Sequence, residues 1–529
     1  MENAVGIYGG AFIETIYSSR EEIERDLNMN FNYIIVQAGG KGTRMEHLTR
    51  NKPKALVPIN NLPMLFHLFK KYSDKKFIVI GDYKCDVLER YLEAFATVDY
   101  TVVNANGKQG TCGGMKQALA YVPQAEPFMI IWSDLVLNDD FSMEGLSKGN
   151  YVGTSFGFPC RWKYENGQFT EERSDTCGVA GLFVFQDKSV LMDVPEEGEF
   201  VRWLSEQELV FDTTRLDKTK EYGLISEYNK QQVAKCRPFN RITVEDNYII
   251  KEGIDEQGKK LAVRECAWYE KTRELGFRNL PEIYSVAPLK MERIQGKNIY
   301  EYGALPPEHK RQILSQLIEC LKGLHRYGAV DFDDNSYREA YIDKTFVRLE
   351  KVRKLVPFAE EESIIINGRR CRNVFYQKER LAELFDAIKP EKFVFLHGDC
   401  TFSNIMLRND KEPVLIDPRG YFGTTELYGD PAYDWAKLYY SLVGNYDQFN
   451  LKRFRLEINE SDVTLHIESS QWEALEKDFF DLLAEEVRPE QIKLIHAIIW
   501  LSLTTYAWED YDSICGAFYN GLWYLEEVL

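Results

Sequence analysis

Apolar positions in the first half of the chain come in short runs divided by glycine-rich turns and by stretches of helical spacing. Tyr33-Ile34-Ile35-Val36 is a run of buried-strand type, and Gln37 to Arg44 supplies the turn that closes it. Phe77-Ile78-Val79-Ile80 is a second strand; Gly81-Asp82-Tyr83 turns the chain, and residues 85–94 place Val87, Leu88, Tyr91 and Leu92 on one helical face. Phe128-Met129-Ile130-Ile131-Trp132 is a third strand, ending at Ser133-Asp134. Strands alternating with helices predict a parallel, doubly wound sheet with ligands at the carboxyl ends of its strands. Residues 222–233 have helical spacing, Cys236-Arg237-Pro238-Phe239 breaks it, and 242–253 alternates like an antiparallel hairpin that carries Lys251 near its end. The pattern restarts there, which divides the chain into an extension over 1–32, a first domain over 33–236 and a second over 237–529. The extension shows no chemistry and reads as an added helix or a homo-oligomer contact.

Composition narrows the class. A chain of 529 residues, 44% hydrophobic and 28% charged, is too long for one core to organise, so two or more domains are expected. The balance of 65 Lys+Arg against 83 Asp+Glu, a net charge of −18, repels a polyphosphate backbone, so no nucleic-acid partner is expected. Nucleotide substrates remain compatible, because they bring Mg²⁺ and are held by a few local donors. Ten cysteines without a C-x-x-C pair suggest neither a zinc site nor a disulfide framework, and a reducing, cytoplasmic setting is expected. Glu21, Glu22, Glu24 and Asp26 are wrong for a secretory signal. The apolar stretch 497–507 is too short to cross a bilayer and reads as a core helix, so no membrane insertion is expected.

The first chemical constellation is Gln37-Ala38-Gly39-Gly40-Lys41-Gly42-Thr43-Arg44 followed by Lys52-Pro53-Lys54. Glycines after a strand let backbone N–H groups approach a phosphate closely. Arg44 and Lys54 add charge where pyrophosphate leaves and a phosphomonoester attacks. The Walker spacing G-x-x-x-x-G-K-[ST] is absent. With Gly110-Thr111 ahead of a helix, Asp134 at a strand end, Ala180-Gly181-Leu182-Phe183 and Leu216-Asp217-Lys218-Thr219, residues 33–235 resemble the sugar-phosphate nucleotidyltransferase family. The resemblance implies an α/β Rossmann-like domain with a doubly wound mixed sheet. It also implies that Ala38, Gly39, Gly40, Gly42, Thr43 and Arg44 cradle a triphosphate, that Gly110 and Thr111 lie near the base, and that Lys54 contacts the acceptor phosphate. Asp134 and Asp217 would hold Mg²⁺, a role the chemistry supports because two carboxylates can hold the ion that neutralises charge on the α-phosphate. The family pattern D-x-G-T lacks its glycine at Asp217-Lys218-Thr219, so a solvated helix N-cap is the competing reading of Asp217.

The second constellation is His397-Gly398-Asp399-Cys400-Thr401-Phe402-Ser403-Asn404 after the apolar run Phe393 to Leu396, with Val414-Leu415-Ile416-Asp417 following. Phosphoryl transfer to a hydroxyl needs a carboxylate beside that hydroxyl, plus an amide oxygen and a second carboxylate to hold Mg²⁺ against the phosphates. Asp399, Asn404 and Asp417 supply that set, with Asp399 and Asn404 at the five-residue spacing of a kinase catalytic loop. Residues 237–529 resemble the aminoglycoside phosphotransferase and choline kinase superfamily, which implies an α+β, protein-kinase-like domain. In that resemblance Lys251 pairs with the α- and β-phosphates of ATP, and Arg264-Glu265 opens a helix whose Glu265 steadies the lysine. Met291-Glu292-Arg293-Ile294 is the hinge that holds adenine, through Glu292 and Ile294. Ile318 to His325 matches a helix ending in Leu-His, and Gly429-Asp430-Pro431-Ala432-Tyr433-Asp434 buttresses the site. His397 anchors the catalytic loop and is left out of the chemistry.

The acceptor is read from Asp417-Pro418-Arg419, where choline and ethanolamine kinases usually carry an acidic residue. An arginine beside the acceptor disfavours a cation and favours a sugar or sugar acid. Trp500, Tyr506, Trp508, Tyr511, Tyr519, Trp523 and Tyr524 form either an aromatic cage or, on the blander reading, a buried helical stripe. The expectation is therefore a bifunctional enzyme. ATP phosphorylates a small acceptor, and a second NTP then donates an NMP to the new phosphate, giving a nucleotide-activated precursor for a surface polysaccharide or the cell wall. The alternatives are a choline or ethanolamine kinase fused to a phosphocholine cytidylyltransferase, acting on an amino alcohol, and an active kinase joined to a non-catalytic nucleotide-sensing module.

Overall fold

The computed structural model describes residues 30–143, 146–230 and 240–529. The chain divides into two compact units that part at Gln232/Val233. The junction expected near residue 236, and all but the last residues of the extension, lie outside the described residues.

The first unit is built on a seven-stranded sheet. Its strands are β1 (Tyr33–Gln37), β2 (Lys76–Gly81), β3 (Asp99–Asn104), β4 (Phe128–Trp132), β5 (Tyr151–Ser155), β6 (Val179–Phe185) and β7 (Asp212–Leu216), in the order β7-β5-β6-β4-β1-β2-β3. β1 is parallel to β2 and β4, and β2 to β3. Alternate residues of β1 are buried on both faces, as a doubly covered sheet requires: Ile35 joins the cluster with Met115 and Leu119 of α3 (Cys112–Leu119), while Ile34 and Val36 are buried as well. The helix expected over 85–94 is α2 (Cys85–Phe95), which buries Val87, Leu88, Tyr91 and Leu92; Tyr91 meets Phe66 of α1 (Met64–Lys71) edge to face at 5.8 Å.

β6 runs antiparallel to both of its neighbours, so the sheet is mixed, as the family resemblance implies, where the alternation of strands and helices alone reads as parallel. Its run Val-Ala-Gly-Leu-Phe-Val-Phe is buried throughout, and a strand covered on both faces carries no alternation from which its direction could be read. The segment from Tyr222 is not helical until Ile225–Asn229. Lys220–Glu221 is held as a ribbon against Leu135–Val136, and Tyr222 N donates to Asp134 O at 3.0 Å.

The second unit opens with an antiparallel sheet of β8 (Asn240–Val244), β9 (Tyr248–Gly253), β10 (Ile283–Val286) and β11 (Leu289–Glu292), in the order β8-β9-β11-β10. Between β9 and β10 lies α4 (Glu256–Leu275), which starts well before Arg264-Glu265 because the Asp255 carboxylate accepts from Gly258 N at 2.7 Å. Glu265 therefore sits mid-helix, a correction to its expected place at the helix start. A helical portion follows: α5 (Pro307–His325), α6 (Lys344–Val352), α7 (Pro431–Leu442), α8 (Pro489–Leu503) and α9 (Tyr511–Leu525), with β12 (Lys392–Phe395) and the antiparallel pair β13 (Ile405–Arg408) and β14 (Glu412–Leu415) inserted before α7. This antiparallel sheet followed by a helical portion is the α+β arrangement expected for the second half.

Three of the seven late aromatics are core, three are partly buried, and Tyr506 is exposed. Trp500, Tyr511 and Tyr519 are buried; Trp500 donates through Nε1 to His496 Nε2 at 3.0 Å and packs edge-on against Tyr440 and Phe449. Residues 497–507 form the end of α8 and a 3₁₀ turn, Thr504–Ala507. Among the described residues no helix is long and apolar enough to cross a membrane.

Candidate functional site

In the first unit the glycine turn lies at the carboxyl end of β1, at the centre of the sheet. Ala38 N donates to Ile80 O at 2.9 Å, pinning the turn to β2. Gly42 has φ +64, and a Cβ there would lie 3.1 Å from Lys54 Cβ and 3.0 Å from the Thr49 methyl, so glycine is required both for conformation and for space. Thr43 starts a 3₁₀ turn over Thr43–Thr49, and Arg44 is exposed on its first residues. Lys54 is buried, and its Nζ lies 2.5 Å from Asp134 Oδ2, joining two predicted residues 80 positions apart. Gly110 and Thr111 stand ahead of α3 and are tied down: Thr111 N donates to Gly198 O, and the Thr111 hydroxyl accepts from Phe200 N, each at 2.8 Å.

Asp217 does not join this group. Its carboxylate is exposed and pairs with Arg215 at 2.5 Å, on a residue, Lys218, that follows with φ +57. It is not a helix N-cap either, since the next helix begins at Ile225 with Leu224 as its cap. The carboxylate brought beside Asp134 is Glu221, half-buried on the short ribbon against Leu135. Burial, then the charge of Asp134, push the Glu221 carboxyl above its usual range, with Lys54 and Arg44 pulling the other way.

In the second unit, Lys251 of β9 reaches Glu265 of α4 at 2.8 Å and also pairs with Asp417. Burial works against the Lys251 charge, but Asp417 and Glu265 together hold its ammonium above the usual lysine range. Asp417 itself has φ +54, a conformation aspartate tolerates, at the end of the segment that follows β14. Asp399 uses both carboxylate oxygens: Oδ2 accepts from Asn404 Nδ2 at 3.0 Å, and Oδ1 lies 2.9 Å from Lys437 Nζ. Burial opposes its charge, yet Lys437 and then Arg419 keep Asp399 below the usual carboxylate range.

The loop that carries Asp399 is anchored by Asp434 on α7. Asp434 accepts from the backbone N–H of His397 at 2.9 Å and of Gly398 at 2.8 Å, and its Oδ2 lies 3.1 Å from His325 Nε2. Gly398 has φ +81 and would carry a Cβ only 2.9 Å from Arg419 Cβ. His397 is fully buried; burial lowers its pKa, Nδ1 accepts from Asp399 N, and Nε2–H donates to Ile416 O at 2.9 Å. Both ring nitrogens are thus engaged in holding the loop. At the hinge, the Glu292 carboxylate is taken by Arg408 at 2.8 Å and its N–H by Glu282 O, so the side chain does not serve a ligand. Ile294 is buried, and among the described residues its N–H has no partner.

Among the described residues no group of three or more His, Cys, Asp or Glu side chains forms a self-contained metal site. The donors on hand are hard oxygens: the Asp417 carboxylate and the Asn404 amide in one unit, and in the other the Asp134 carboxylate with the Glu221 carboxyl that feels its charge. Such donor pairs fit Mg²⁺, which takes one or two carboxylates and completes its shell with phosphate and water.

Family models match both halves. Residues 34–146 match the MobA-like NTP transferase domain, and residues 264–459 match the phosphotransferase enzyme family. Each unit thus contains a segment similar to a transferase family. Among its relatives, the UTP–glucose-1-phosphate uridylyltransferase of Haloferax volcanii is 29% identical over 108 residues, 20% of this chain and 44% of that protein. The D-glycero-alpha-D-manno-heptose 1-phosphate guanylyltransferase of Campylobacter jejuni is 32% identical over 92 residues, 17% of this chain and 42% of that protein. The chain spans about half the length of the curated relatives it matches. The solved structure of HddC from Yersinia pseudotuberculosis is similar with a TM-score of 0.33 at 20% identity, covering 38% of this chain and 97% of that one.

Two residues of these candidate groups escaped the motif reading. Glu221 lies four positions after Asp217 and belongs to no motif; only the ribbon with Leu135 brings it to Asp134. Lys437 stands one helical turn after Asp434 on α7, and that i, i+3 spacing next to a buttressing aspartate was its available signal. For the nucleotidyltransferase unit, Glu221→Gln is expected to slow pyrophosphate release by about 10²-fold, whereas Asp217→Asn leaves the rate essentially unchanged. A coupled pyrophosphate assay on both variants checks this, and the reverse order of effects would restore Asp217 to the centre.

Proposed function

We propose that the chain phosphorylates a small hydroxylated molecule, a sugar or sugar derivative, with ATP at the second unit. It then transfers an NMP from a second NTP to the resulting phosphate at the first unit, releasing pyrophosphate and giving a nucleotide-activated precursor for surface polysaccharide or cell-wall synthesis. The observation that carries this reading is that each unit gathers a lysine and carboxylates from distant segments at the end of its strands: Lys54 with Asp134, and Lys251 with Glu265 and Asp417.

In the kinase step Asp399 orients the acceptor hydroxyl and takes its proton as that oxygen bonds to the γ-phosphorus and ADP leaves. Lys251, steadied by Glu265, holds the α- and β-phosphates, and the hinge at Ile294 offers its N–H to adenine. In the transfer step the new monoester attacks the α-phosphorus of the NTP, Lys54 positions the monoester, and the turn from Ala38 to Thr43 with Arg44 steadies the departing pyrophosphate. Asp417 with Asn404, and Asp134 with Glu221, would each hold Mg²⁺, which supplies neutralisation of charge on the phosphates. The order follows from chemistry, since the nucleotidyltransferase consumes a phosphomonoester and the kinase makes one.

The test is direct. The full chain is incubated with ATP, Mg²⁺ and a panel of sugars, sugar acids and amino alcohols, then offered each NTP, and products are identified by mass. A product with the mass of acceptor plus NMP plus one phosphate, formed with ADP and pyrophosphate, is expected. ADP without pyrophosphate under every NTP would make the first unit a nucleotide sensor instead.

A further inference from the structure

Near Asp399 the second unit gathers four basic residues from three segments, α6, the loop after β14 and α7, with few carboxylates to match them. Lys437 of α7 lies 2.9 Å from Asp399 Oδ1. Arg419, from the loop after β14, donates to Tyr433 OH at 2.7 Å and Tyr421 OH at 3.3 Å, and its guanidinium stands 4.7 Å from the Tyr421 ring centroid. Arg348 of α6 donates to Ser502 O at 2.7 Å and to its hydroxyl at 2.9 Å, and lies over the Tyr506 ring at 5.8 Å. Lys344, at the start of α6, is half-buried and has no hydrogen-bond or ion-pair partner among the described residues.

These groups act on one another. Burial first, then the charges of Arg419, Arg348 and Lys437, push the Lys344 ammonium down to about 6, with Glu339 a weak opposing charge. The Tyr421 hydroxyl is pulled below its usual range, first by Arg419 and also by Arg264 and Arg348. Lys437 and Arg419 thus stand by Asp399, with Arg348 and the Lys344 amine, held largely neutral, near them; Glu339 is the opposing carboxylate, and the hydroxyl, carbonyl and ring partners of the two arginines carry no charge of their own. Buried like charges without counter-ions cost stability unless something anionic joins them. On this reading the nucleotide does not fill this role, because Asp399 Oδ2 faces Asn404, on the side of the proposed metal and phosphates, whereas its Oδ1 faces Lys437. A quaternary ammonium is the wrong sign, and the Tyr421 and Tyr506 faces it would use already carry guanidinium groups.

We infer that the hydroxylated acceptor phosphorylated by the second unit is itself an anion, bearing a carboxylate or phosphate group that Arg348, Lys344 and Arg419 receive while its hydroxyl meets Asp399. This rests on the kinase reading above and narrows its acceptor class. Arginine suits such a group because its planar fork of donors matches both carboxylate and phosphate oxygens.

The experiment measures ADP release by the full-length protein at saturating ATP with matched pairs of acceptors: an aldonic acid and its parent sugar, glycerol 3-phosphate and glycerol, and choline alone. At least one anionic member is expected to exceed its neutral partner about tenfold or more in kcat/KM, and the pair that shows the preference separates carboxylate from phosphate recognition. In Arg348→Gln the KM for that acid rises about tenfold or more, with the KM for ATP unchanged. Lys344→Met supplies a second variant should the first fail to fold, and the wild-type pairs need no variant. Neutral acceptors or choline serving as well as the acids, or a rise confined to the ATP KM, would overturn the inference and leave the kinase standing. No ADP with any acceptor would remove the kinase reading, and the inference with it.

Discussion

Asp399→Asn lowers ADP formation by about 10³-fold or more, while the same sample still releases pyrophosphate from an NTP and a ready-made phosphomonoester. The amide keeps the shape of the side chain and retains an oxygen for Asn404 Nδ2, which now lies 3.0 Å from Oδ2. What it loses is the proton acceptor for the substrate hydroxyl and the negative charge opposite Lys437, whose Nζ lies 2.9 Å from Oδ1. The loop itself is held elsewhere, by Asp434 on the backbone of His397 and Gly398, so the variant retains its fold. Coupled ADP and pyrophosphate assays run side by side check the result. Retention of ADP formation would show that another group takes the proton, and loss of both activities with the fold intact would show that the two centres are not independent.

The mirror result is expected of Asp134→Asn, which lowers pyrophosphate release by about 10²–10³-fold and leaves ADP formation at its wild-type rate. Asp134 stands at the end of β4, where Lys54 Nζ meets its Oδ2 at 2.5 Å, so the substitution removes both a candidate metal oxygen and the counter-charge that orients a buried lysine. Glu221 remains nearby but is already pushed toward its neutral form by burial, and one such carboxyl does not replace the pair. Lys54→Met separates the two contributions: its loss should appear mainly in the KM of the phosphomonoester, whereas Asp134→Asn should appear mainly in kcat. The same two assays decide, and a fall in ADP formation caused by Asp134→Asn would contradict the assignment of separate chemistry to each unit.

Much of the architecture could be read along the chain. The runs at 33–36, 77–80 and 128–132 are strands, legible as short apolar runs bounded by turns, and the amphipathic stretch at 85–94 is a helix, legible from its period. The direction of β6 could not be read, since a strand covered on both faces shows no alternation. The helix that bears Glu265 was misplaced because its start depends on one cap, Asp255, well upstream of the motif.

The same division holds at the sites. Residues within one motif, such as Asp399 and Asn404, are neighbours through a local turn, and their spacing alone announces the chemistry. Asp217 had the spacing of a motif, yet its side chain turns to Arg215, and Glu221 takes the place beside Asp134.

By itself the sequence determined two phosphate-handling chemistries in order along one chain, because glycine turns, strand-end carboxylates and the His-Gly-Asp loop are local features with local geometry. Only the tertiary structure decided which carboxylate stands with Asp134, that Lys437 holds Asp399, and that Lys344, Arg348 and Arg419 gather near one another. Those groupings depend on contacts between residues tens of positions apart, and electrostatic energy follows distance in space, to which spacing along the chain is blind.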